Sequence, residues 1–303
     1  MFGFKLHGVV PVLAAPFDDA GNVNYRDLRR LIDFQISQGA HGITLFGFAT
    51  EFYKLSEDEK LQMLRTAVQE VQGRVPVIAS ITEQSTELAV LKALEMENNG
   101  ADALMVLPPF LIPAGKKAFF NHVQAIAEAV RLPIMVQYSP QETGVAIDSA
   151  ELAALMAIRA NLQYLKIECK PPGPMISEVL KAKRSPVETF VGYAGLQMID
   201  ALQRGAVGVM PGSSLTDFYC RIYHYYSQGK VKEAVSLHNR LLPLLNVIFQ
   251  SIEMIIAWEK IILKRRGIIS SDYCRKPDYQ PDPLAYELFE LYYTQLAEAL
   301  NPL

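Results

Sequence analysis

The sequence predicts an α/β protein: a (β/α)8, or TIM, barrel over residues 1–229 and a C-terminal helical extension over residues 230–303. Short apolar runs, typical of strands buried on both faces, alternate with amphipathic helical segments. Glycines such as Gly39 and Gly100 stand between a helical segment and the next apolar run, where a left-handed helix end favours them. Eight such units in about 225 residues fit this barrel, which typically takes ~250 residues.

Eight strands are predicted from the apolar runs. A doubly wound sheet is the competing topology, but no Gly-x-Gly-x-x-Gly pattern follows the first strand. The predicted strands are Val9–Leu13, Gly42–Leu45, Val75–Ser80, Ala103–Leu107, Ile134–Tyr138, Leu162–Ile167, Thr189–Tyr193 and Gly208–Met210.

Helical segments lie between these strands and continue beyond them. The first, Tyr25–Gln38, places its leucines and isoleucines at helical spacing. Ser56 to Glu59 form a capping box at the start of the next helix, because a serine is followed three residues later by a glutamate. Predicted caps of later helices are Ser85, Asp148 and Ser214, and the predicted helices of the extension are Val231–Ile252, Ile255–Arg266 and Leu284–Leu300.

The composition argues against several classes of protein. Half of the residues are hydrophobic and the net charge is −3, which excludes disorder and disfavours a dedicated nucleic-acid binder. No run approaches ~20 apolar residues, so no membrane span is predicted, and the N-terminal residues do not resemble a signal peptide. Three scattered cysteines favour a reducing cytoplasm over a disulfide framework. The five histidines show no ligand spacing, so neither a metal nor another cofactor is predicted.

Lys166 is the unusual residue of the predicted barrel. It interrupts a strand that is otherwise apolar, and simple alternation places it on one face with Leu162 and Tyr164. Burial favours a neutral amine, which can attack a ketone and form a Schiff base. The alternative is a lysine at a strand end that reaches solvent. Tyr138 ends the neighbouring strand, where its phenol is expected either to pass a proton to an adduct of Lys166 or to be an ordinary core residue.

The other candidate binding groups also follow strands, where chemistry is located in this fold. The turn Gly47–Glu51 offers backbone N–H groups between a strand and a capped helix, and such a nest can bind a carboxylate. Its ordinary interpretation is a tight turn. Val209 and Met210, at the end of the last strand, are also predicted to contact substrate.

Taken together, these motifs resemble the superfamily of dihydrodipicolinate synthase and N-acetylneuraminate lyase, from Gly8 to about Gly267. The resemblance implies a Schiff-base-forming barrel that acts on pyruvate or a related 2-keto acid, with Lys166 as the imine-forming residue and Tyr138 as the proton shuttle. It also implies a homodimer or homotetramer. The motifs are Ala15–Asp18, Gly47–Glu51, Leu55–Glu59, Gly73–Ile78, Gly100–Ala103 with Pro108–Pro109, Tyr138 with Pro140, Lys166 with Glu168, and Gly205–Gly208.

The sequence departs from the synthase pattern at three places. The family turn Gly-Thr-Thr-Gly-Glu has Phe48, Ala49 and Thr50 here, so two hydroxyls are missing. The paired tyrosines after the fourth strand are replaced by Phe110 and Leu111, which are expected to lie at a subunit interface near the site. Synthases read Tyr-Asn-x-Pro-x-Arg-Thr-Gly at the fifth strand; the segment after Tyr138 is one residue shorter, with Glu142 in place of the arginine.

A glutamate repels the second carboxylate that an arginine would bind, so synthase activity on aspartate semialdehyde is not expected. A neutral or polyhydroxylated 2-keto acid fits better, with Glu142 accepting hydrogen bonds from hydroxyl groups. Three hypotheses remain: a Schiff-base aldolase or dehydratase, a catalytically degenerate barrel that serves as a binding or assembly module, and an atypical 4-hydroxy-tetrahydrodipicolinate synthase. A phosphate-binding barrel has only Gly212–Ser214 in its favour.

Overall fold

The barrel is confirmed by the computed structural model, which describes residues 4–113, 115–182 and 187–298. Its strands are β1 (Gly8–Val9), β2 (Ile43–Leu45), β3 (Val77–Ile81), β4 (Ala103–Val106), β5 (Ile134–Tyr138), β6 (Leu162–Ile167), β7 (Glu188–Val191) and β8 (Gly208–Val209). All ladders are parallel, in the order β1-β8-β7-β6-β5-β4-β3-β2. Each predicted strand is therefore present, with bounds that differ by a few residues.

The sheet closes between β1 and β2 through the residues that follow β1. Val12 forms one parallel bridge to Thr44 of β2 and another to Gly212, beyond β8. Leu13 N donates to Thr44 O at 2.9 Å, which continues the pairing. The regular part of β1 is shorter than predicted because Pro11 has no N–H group with which to extend the ladder.

Twelve α-helices lie in the described ranges. The predicted end of the last helix at Leu300 falls outside the described residues. The helices are α1 (Tyr25–Ser37), α2 (Glu57–Val71), α3 (Thr86–Asn98), α4 (Lys116–Ala129), α5 (Pro140–Thr143), α6 (Ser149–Met156), α7 (Pro172–Ala182), α8 (Met198–Gln203), α9 (Thr216–Ser227), α10 (Val231–Ile248), α11 (Ile252–Arg265) and α12 (Pro283–Glu298).

Three of the four predicted helix caps are confirmed. Ser56 forms a full capping box with Glu59, Asp148 forms another at α6, and the Ser85 hydroxyl accepts from the backbone at the start of α3. The prediction for Ser214 is wrong, because α9 begins two residues later and the Ser214 hydroxyl instead donates to Glu259 Oε1 at 2.8 Å. Ser214 N donates to Glu259 Oε2 as well, at 2.8 Å, so both donors of Ser214 bind a buried carboxylate on α11.

The core has two layers, and the side chains of each strand alternate between them. The inner layer fills the barrel with Val10, Met105, Met135, Tyr164 and Phe190, among others. A larger outer layer lies between the sheet and the helices. A side chain near the carboxyl end of a strand therefore either faces the mouth of the barrel or packs under a helix, and the choice depends on its position in the strand.

The C-terminal helices pack directly on the barrel. The α10–α11 break comes at Phe249–Ser251, earlier than predicted, because the Ser251 hydroxyl caps α11 by accepting from Met254 N. Trp258 of α11 is fully buried and stacks on Phe289 of α12 with 4.5 Å between ring centroids. No single helix in the described ranges is long and apolar enough to span a membrane; α10 and α11 satisfy length and composition only together, across a 119° bend.

Candidate active site

A cavity opens at the carboxyl ends of the strands, where this fold places its chemistry. Its floor and one wall come from β6 and the segments after β2 and β8, and α11 covers another side. The polar side chains that line it belong to Ser139, Glu142, Lys166, Glu168 and Tyr193. The apolar lining comes from Val12, Phe48, Ala49, Met210, Phe249, Ile252 and Ile255, among others.

Lys166 lies in this cavity, as expected, and its side chain is almost fully buried. Residue exposure is 5%, and Nζ stands 3.1 Å from Glu168 Oε1. The face of Lys166 depends on an irregularity in β6: Ile134 pairs with Leu162, but the next residue, Met135, pairs with Tyr164. The prediction that Leu162 shares a face with Lys166 is therefore wrong, since Leu162 packs in the outer layer.

Glu168 is the centre of the buried network, and sequence reasoning did not assign it a role. Its Oε2 accepts from Gln137 Nε2, and its Oε1 accepts from Tyr193 N at 3.1 Å. A Cβ placed on Gly192 would lie 1.9 Å from Glu168 Oε1, so only glycine leaves room for the carboxylate. Both oxygens are thus held by hydrogen bonds, and Oε1 lies beside the Lys166 amine.

Tyr138 does not approach Lys166, so that expectation is wrong. In the ladder between β5 and β6, Gln137 is opposite Lys166, whereas Tyr138 is opposite Ile167. The Tyr138 hydroxyl donates to Ile147 O at 2.8 Å and accepts from Ile147 N at 3.1 Å, in the outer layer. Burial raises the pKa of this phenol above its ordinary value.

A signal for Gln137 was present in the sequence. The family pattern Tyr-Asn-x-Pro-x-Arg-Thr-Gly fits this chain without a gap when Pro140 and Thr143–Gly144 are kept in register. That alignment places Gln137, not Tyr138, at the family's tyrosine. The segment is one residue short only when Tyr138 itself is aligned with the family's tyrosine.

The turn after β2 keeps its backbone donors but not its hydroxyls. Phe48–Thr50 form a 3-10 turn, and Phe48 and Ala49 line the cavity. Thr50 is buried, and its hydroxyl donates to Leu13 O at 2.7 Å rather than facing substrate. Gly47 lies against Val12, whose Cγ1 would be 2.7 Å from an added Cβ. Carboxylate binding at this turn stays a prediction, and it would depend on main-chain N–H groups alone.

Glu142 and Tyr193 form a polar group on the other side of the cavity. Ser139 Oγ donates to Glu142, and Tyr193 Oη lies 3.3 Å from both Glu142 carboxylate oxygens and 2.9 Å from Gln141 Oε1. Burial, followed by the charge of Glu142, raises the pKa of Tyr193, so this phenol remains a hydrogen-bond donor at neutral pH. Tyr193 was missed because the sequence places it as the last residue of a predicted apolar strand, where an aromatic side chain is typical of the core.

Of the other residues predicted to contact substrate or a neighbouring subunit, some line the cavity and others do not. Met210 lines the cavity, but Val209 is fully buried in the outer layer, so the expectation that Val209 contacts substrate is wrong. Phe110 packs against Phe48, 6.2 Å between ring centroids, whereas Leu111 is 75% exposed. Among the described residues, no three His, Cys, Asp or Glu side chains are grouped as metal ligands would be.

Comparison with known proteins identifies the family of the chain. The model of the dihydrodipicolinate synthetase family matches residues 5–285. An L-2-keto-3-deoxyarabonate dehydratase of Azospirillum brasilense is 27% identical over 304 residues, covering 98% of this chain and 95% of that protein. A 4-hydroxy-tetrahydrodipicolinate synthase of Methanopyrus kandleri is 29% identical over 252 residues, covering 82% and 83%.

Solved structures show the same fold. The 4-hydroxy-tetrahydrodipicolinate synthase of Methylacidiphilum fumariolicum SolV superimposes with a TM-score of 0.89 at 25% identity, covering 98% of this chain and 97% of that one. The match extends through the C-terminal helices as well as the barrel. The resemblance inferred from the motifs is confirmed, and the chain belongs to the dihydrodipicolinate synthetase family of lyases.

Proposed function

We propose that this protein is a Schiff-base lyase that dehydrates a 2-keto-3-deoxy sugar acid. The observation that carries the proposal is the buried pair in which Lys166 Nζ stands 3.1 Å from Glu168 Oε1 inside the cavity. A lysine amine supplies the nucleophile, and a carboxylate next to it supplies the acid and base. The phenol on which a synthase relies is absent from this face, and Gln137 takes its place.

The proposed reaction uses one carboxylate twice. Lys166 Nζ attacks the C2 carbonyl, and loss of water forms the imine. Glu168 takes a proton from C3, giving the enamine, and then returns that proton to the C4 hydroxyl, which leaves as water. Hydrolysis of the unsaturated imine releases the product and restores the amine. The net change is the loss of one water molecule, with no oxidant or reductant.

Gln137 and Tyr193 hold the Glu168 carboxylate in position for this chemistry. Gln137 Nε2 and Tyr193 N donate to different oxygens of Glu168. These two bonds fix the carboxylate plane, so one oxygen faces the amine throughout the reaction. A pre-oriented base avoids reorganisation when the C3 proton is transferred.

The walls of the cavity favour a hydroxylated substrate. Glu142, Ser139 and Tyr193 supply a carboxylate and hydroxyl groups that can bind sugar hydroxyls. No arginine is among the described residues that line the cavity, so a second substrate carboxylate has no forked partner there. The Azospirillum relative is named as a dehydratase of a 2-keto-3-deoxy acid, which is the same class of substrate.

A panel of substrates tests the proposal. Five- and six-carbon 2-keto-3-deoxy acids are incubated with the wild-type protein and with Lys166→Ala, and products are identified by NMR. We expect loss of the C4 hydroxyl with the wild type only. Release of pyruvate and an aldehyde would identify an aldolase instead, and no turnover with any member would favour the degenerate barrel.

Synthase activity is the specific alternative to exclude. Phe48, Ala49, Leu111 and Glu142 replace groups that the synthase pattern uses for carboxylate binding and proton relay. Each lost charge-assisted hydrogen bond costs about 1.5–3 kcal/mol, so two or three independent losses reduce the rate roughly a thousandfold or more. Turnover of pyruvate and aspartate semialdehyde within about tenfold of an ordinary synthase would contradict the proposed specificity.

The assembly we propose is at least a homodimer, formed through the loop after β4. Leu111 and Ile112 are 75% and 80% exposed, while Gln84 Oε1 holds the loop by accepting from Phe110 N and Leu111 N. Exposed apolar side chains on an ordered loop are typical of an interface. Leu111→Asp is expected to be a monomer by light scattering and to have lower activity. A wild-type protein that is monomeric at micromolar concentration would contradict the proposed dimer.

The three unpaired cysteines favour a cytoplasmic location.

A further inference from the structure

Glu51 lies at the end of the turn that follows β2, and its backbone is unusual. It comes directly after Thr50, has φ of 53° and ψ of 37°, and separates two consecutive 3-10 turns. A left-handed conformation in a residue other than glycine is strained and persists only where surrounding contacts impose it. Glu51 is also fully buried, so those contacts must neutralise its charge.

The neutralising contacts come largely from α11, in the C-terminal extension. Lys260 of α11 is fully buried, and its Nζ donates to Glu51 Oε1 and, at 2.9 Å, to Tyr273 O. The same ammonium lies 4.2 Å from the centre of the Phe17 ring. Lys54 Nζ is 3.3 Å from the other oxygen, Glu51 Oε2. The carboxylate is thus held between two ammonium groups, one of them on a helix that lines the cavity.

Two N–H groups of the turn that Glu51 ends have no backbone acceptor within the part of the chain that the structure describes. Thr50 N and Glu51 N bond back to Gly47 O and Phe48 O, at 2.9 Å each. Phe48 N and Ala49 N, at the start of the 3-10 turn, donate to no other backbone group among the described residues. Because neither Phe48 nor Ala49 has a hydroxyl, carboxylate binding at this turn depends on where these two N–H groups point.

We propose that Glu51 and Lys260 are positioning residues that aim the Phe48 and Ala49 N–H groups at the carboxylate of the bound 2-keto acid. Thr50 fixes the middle of the turn through Leu13 O, and the Glu51–Lys260 pair fixes its end. The C-terminal extension therefore contributes to substrate binding through a buried ion pair as well as by covering the cavity. This inference rests on the proposed imine chemistry at Lys166.

Two ketones distinguish positioning from a merely structural role. Pyruvate carries the carboxylate and acetone lacks it, while both offer a carbonyl to Lys166. Imines are trapped with borohydride over a range of ketone concentrations, at a temperature where each variant is folded. The variants are Lys260→Met, Glu51→Gln and the double variant Glu51→Gln/Lys260→Met, which leaves no unpaired buried charge and is therefore expected to fold.

The expected result is selective. The half-saturating concentration of pyruvate rises about tenfold or more in each variant, the equivalent of one impaired charge-assisted hydrogen bond. Trapping of acetone changes less than about twofold, because the Lys166–Glu168 pair is untouched. The matched control is Asp27→Asn: Asp27 is 2% exposed and accepts from Ser270 N and Oγ, at 2.6 Å each, linking α1 to the C-terminal segment. This control is expected to lose stability but to keep the wild-type ratio of pyruvate to acetone affinity.

The two proposals fail in different ways. If the variants are less stable but keep the wild-type ratio, the ion pair is only structural and the inference is overturned. If the wild-type protein traps neither ketone, the imine chemistry itself is wrong and the inference falls with it. A loss of pyruvate and acetone trapping to the same extent would also overturn the inference, because it would place the effect on the amine rather than on the turn.

Discussion

The two faces of the β5–β6 pair place neighbouring polar residues in different surroundings, one beside the buried Lys166 and the other against a loop backbone. On the inner face, Gln137 and Lys166 are opposite each other and both contact Glu168. On the outer face, one residue further along, Tyr138 is opposite Ile167 and its hydroxyl is satisfied by the backbone of Ile147. A shift of one residue thus separates a group beside the proposed imine-forming lysine from a group that stabilises a loop.

This difference shows that a reactive residue type at a strand end is informative only together with its face. The phenol of Tyr138 is chemically capable of proton transfer, but its surroundings commit it to packing. Gln137 has no titratable group, yet its position gives it control over the Glu168 carboxylate. Substitutions on the two faces should therefore have separable effects on catalysis and on stability.

Glu168→Gln is expected to have the largest effect of these substitutions. It removes the charge beside Lys166 and the base that the proposed reaction needs, while the amide remains close in size. Loss of a positioned acid–base group costs about 10²–10⁴-fold in rate, so kcat with the best 2-keto-3-deoxy acid should fall at least 100-fold. Activity above about a tenth of wild type would show that another group transfers the proton.

The matched pair Gln137→Ala and Tyr138→Phe compares the faces directly. Gln137→Ala should lower kcat about tenfold, since it removes one hydrogen bond to a charged group, about 1.5 kcal/mol. Tyr138→Phe should keep kcat within about threefold but reduce the free energy of unfolding by about 1 kcal/mol, because the buried backbone of Ile147 loses its partner. Steady-state kinetics and urea unfolding of both variants provide the measurements. The reverse pattern would return Tyr138 to the active site.

The pH dependence of stability should be separable from that of catalysis, because the histidines with shifted pKa values do not line the cavity. Burial lowers the pKa of His41, His122 and His238 below 6.5. The unfolded chain therefore binds protons below pH 6.5 that the folded protein does not bind. Stability should be retained above pH 6.5 and fall as the pH drops towards the lowered values, by at most about 1.4 kcal/mol per histidine at pH 5.5.

His238→Gln provides the control for that pH effect. His238 Nε2 lies 2.9 Å from Gly195 O, a contact that the amide of glutamine can reproduce. The free energy of unfolding, measured with urea, should differ less between pH 7.5 and 5.5 in the variant than in the wild type. Burial raises the pKa of Glu259, so this group favours the folded protein at lower pH. Its contribution is the same in both proteins and cancels when they are compared. An unchanged difference would show that His238 does not contribute.

The sequence predicted the barrel because its signals are local and repeated. Each strand is a short apolar run, and Ser56, Ser85 and Asp148 mark helix starts with bonds that span only three residues. Lys166 could be predicted because a charged residue within an apolar strand stands out. These features depend on a few neighbouring residues, so they survive without knowledge of the tertiary structure.

The features that were missed depend on register and on distant partners. The irregularity in β6 at Leu162–Tyr164 changes which residues share a face, and no local pattern marks it. Ser214 donates to Glu259, 45 residues away, instead of capping α9. Tyr193 bonds to Glu142, 51 residues away in the sequence. The one sequence signal for Gln137 over Tyr138 is the ungapped family pattern around Pro140, and the sequence analysis did not use it.

The central claim, that Lys166 on the inner face forms the imine, is tested most directly by trapping with pyruvate and borohydride followed by peptide mass mapping. The account predicts one added three-carbon unit per chain, on the peptide that contains Lys166. The label should be absent in Lys166→Ala and retained in Tyr138→Phe. Labelling of a different lysine, or no labelling with pyruvate or any other 2-keto acid, would contradict it.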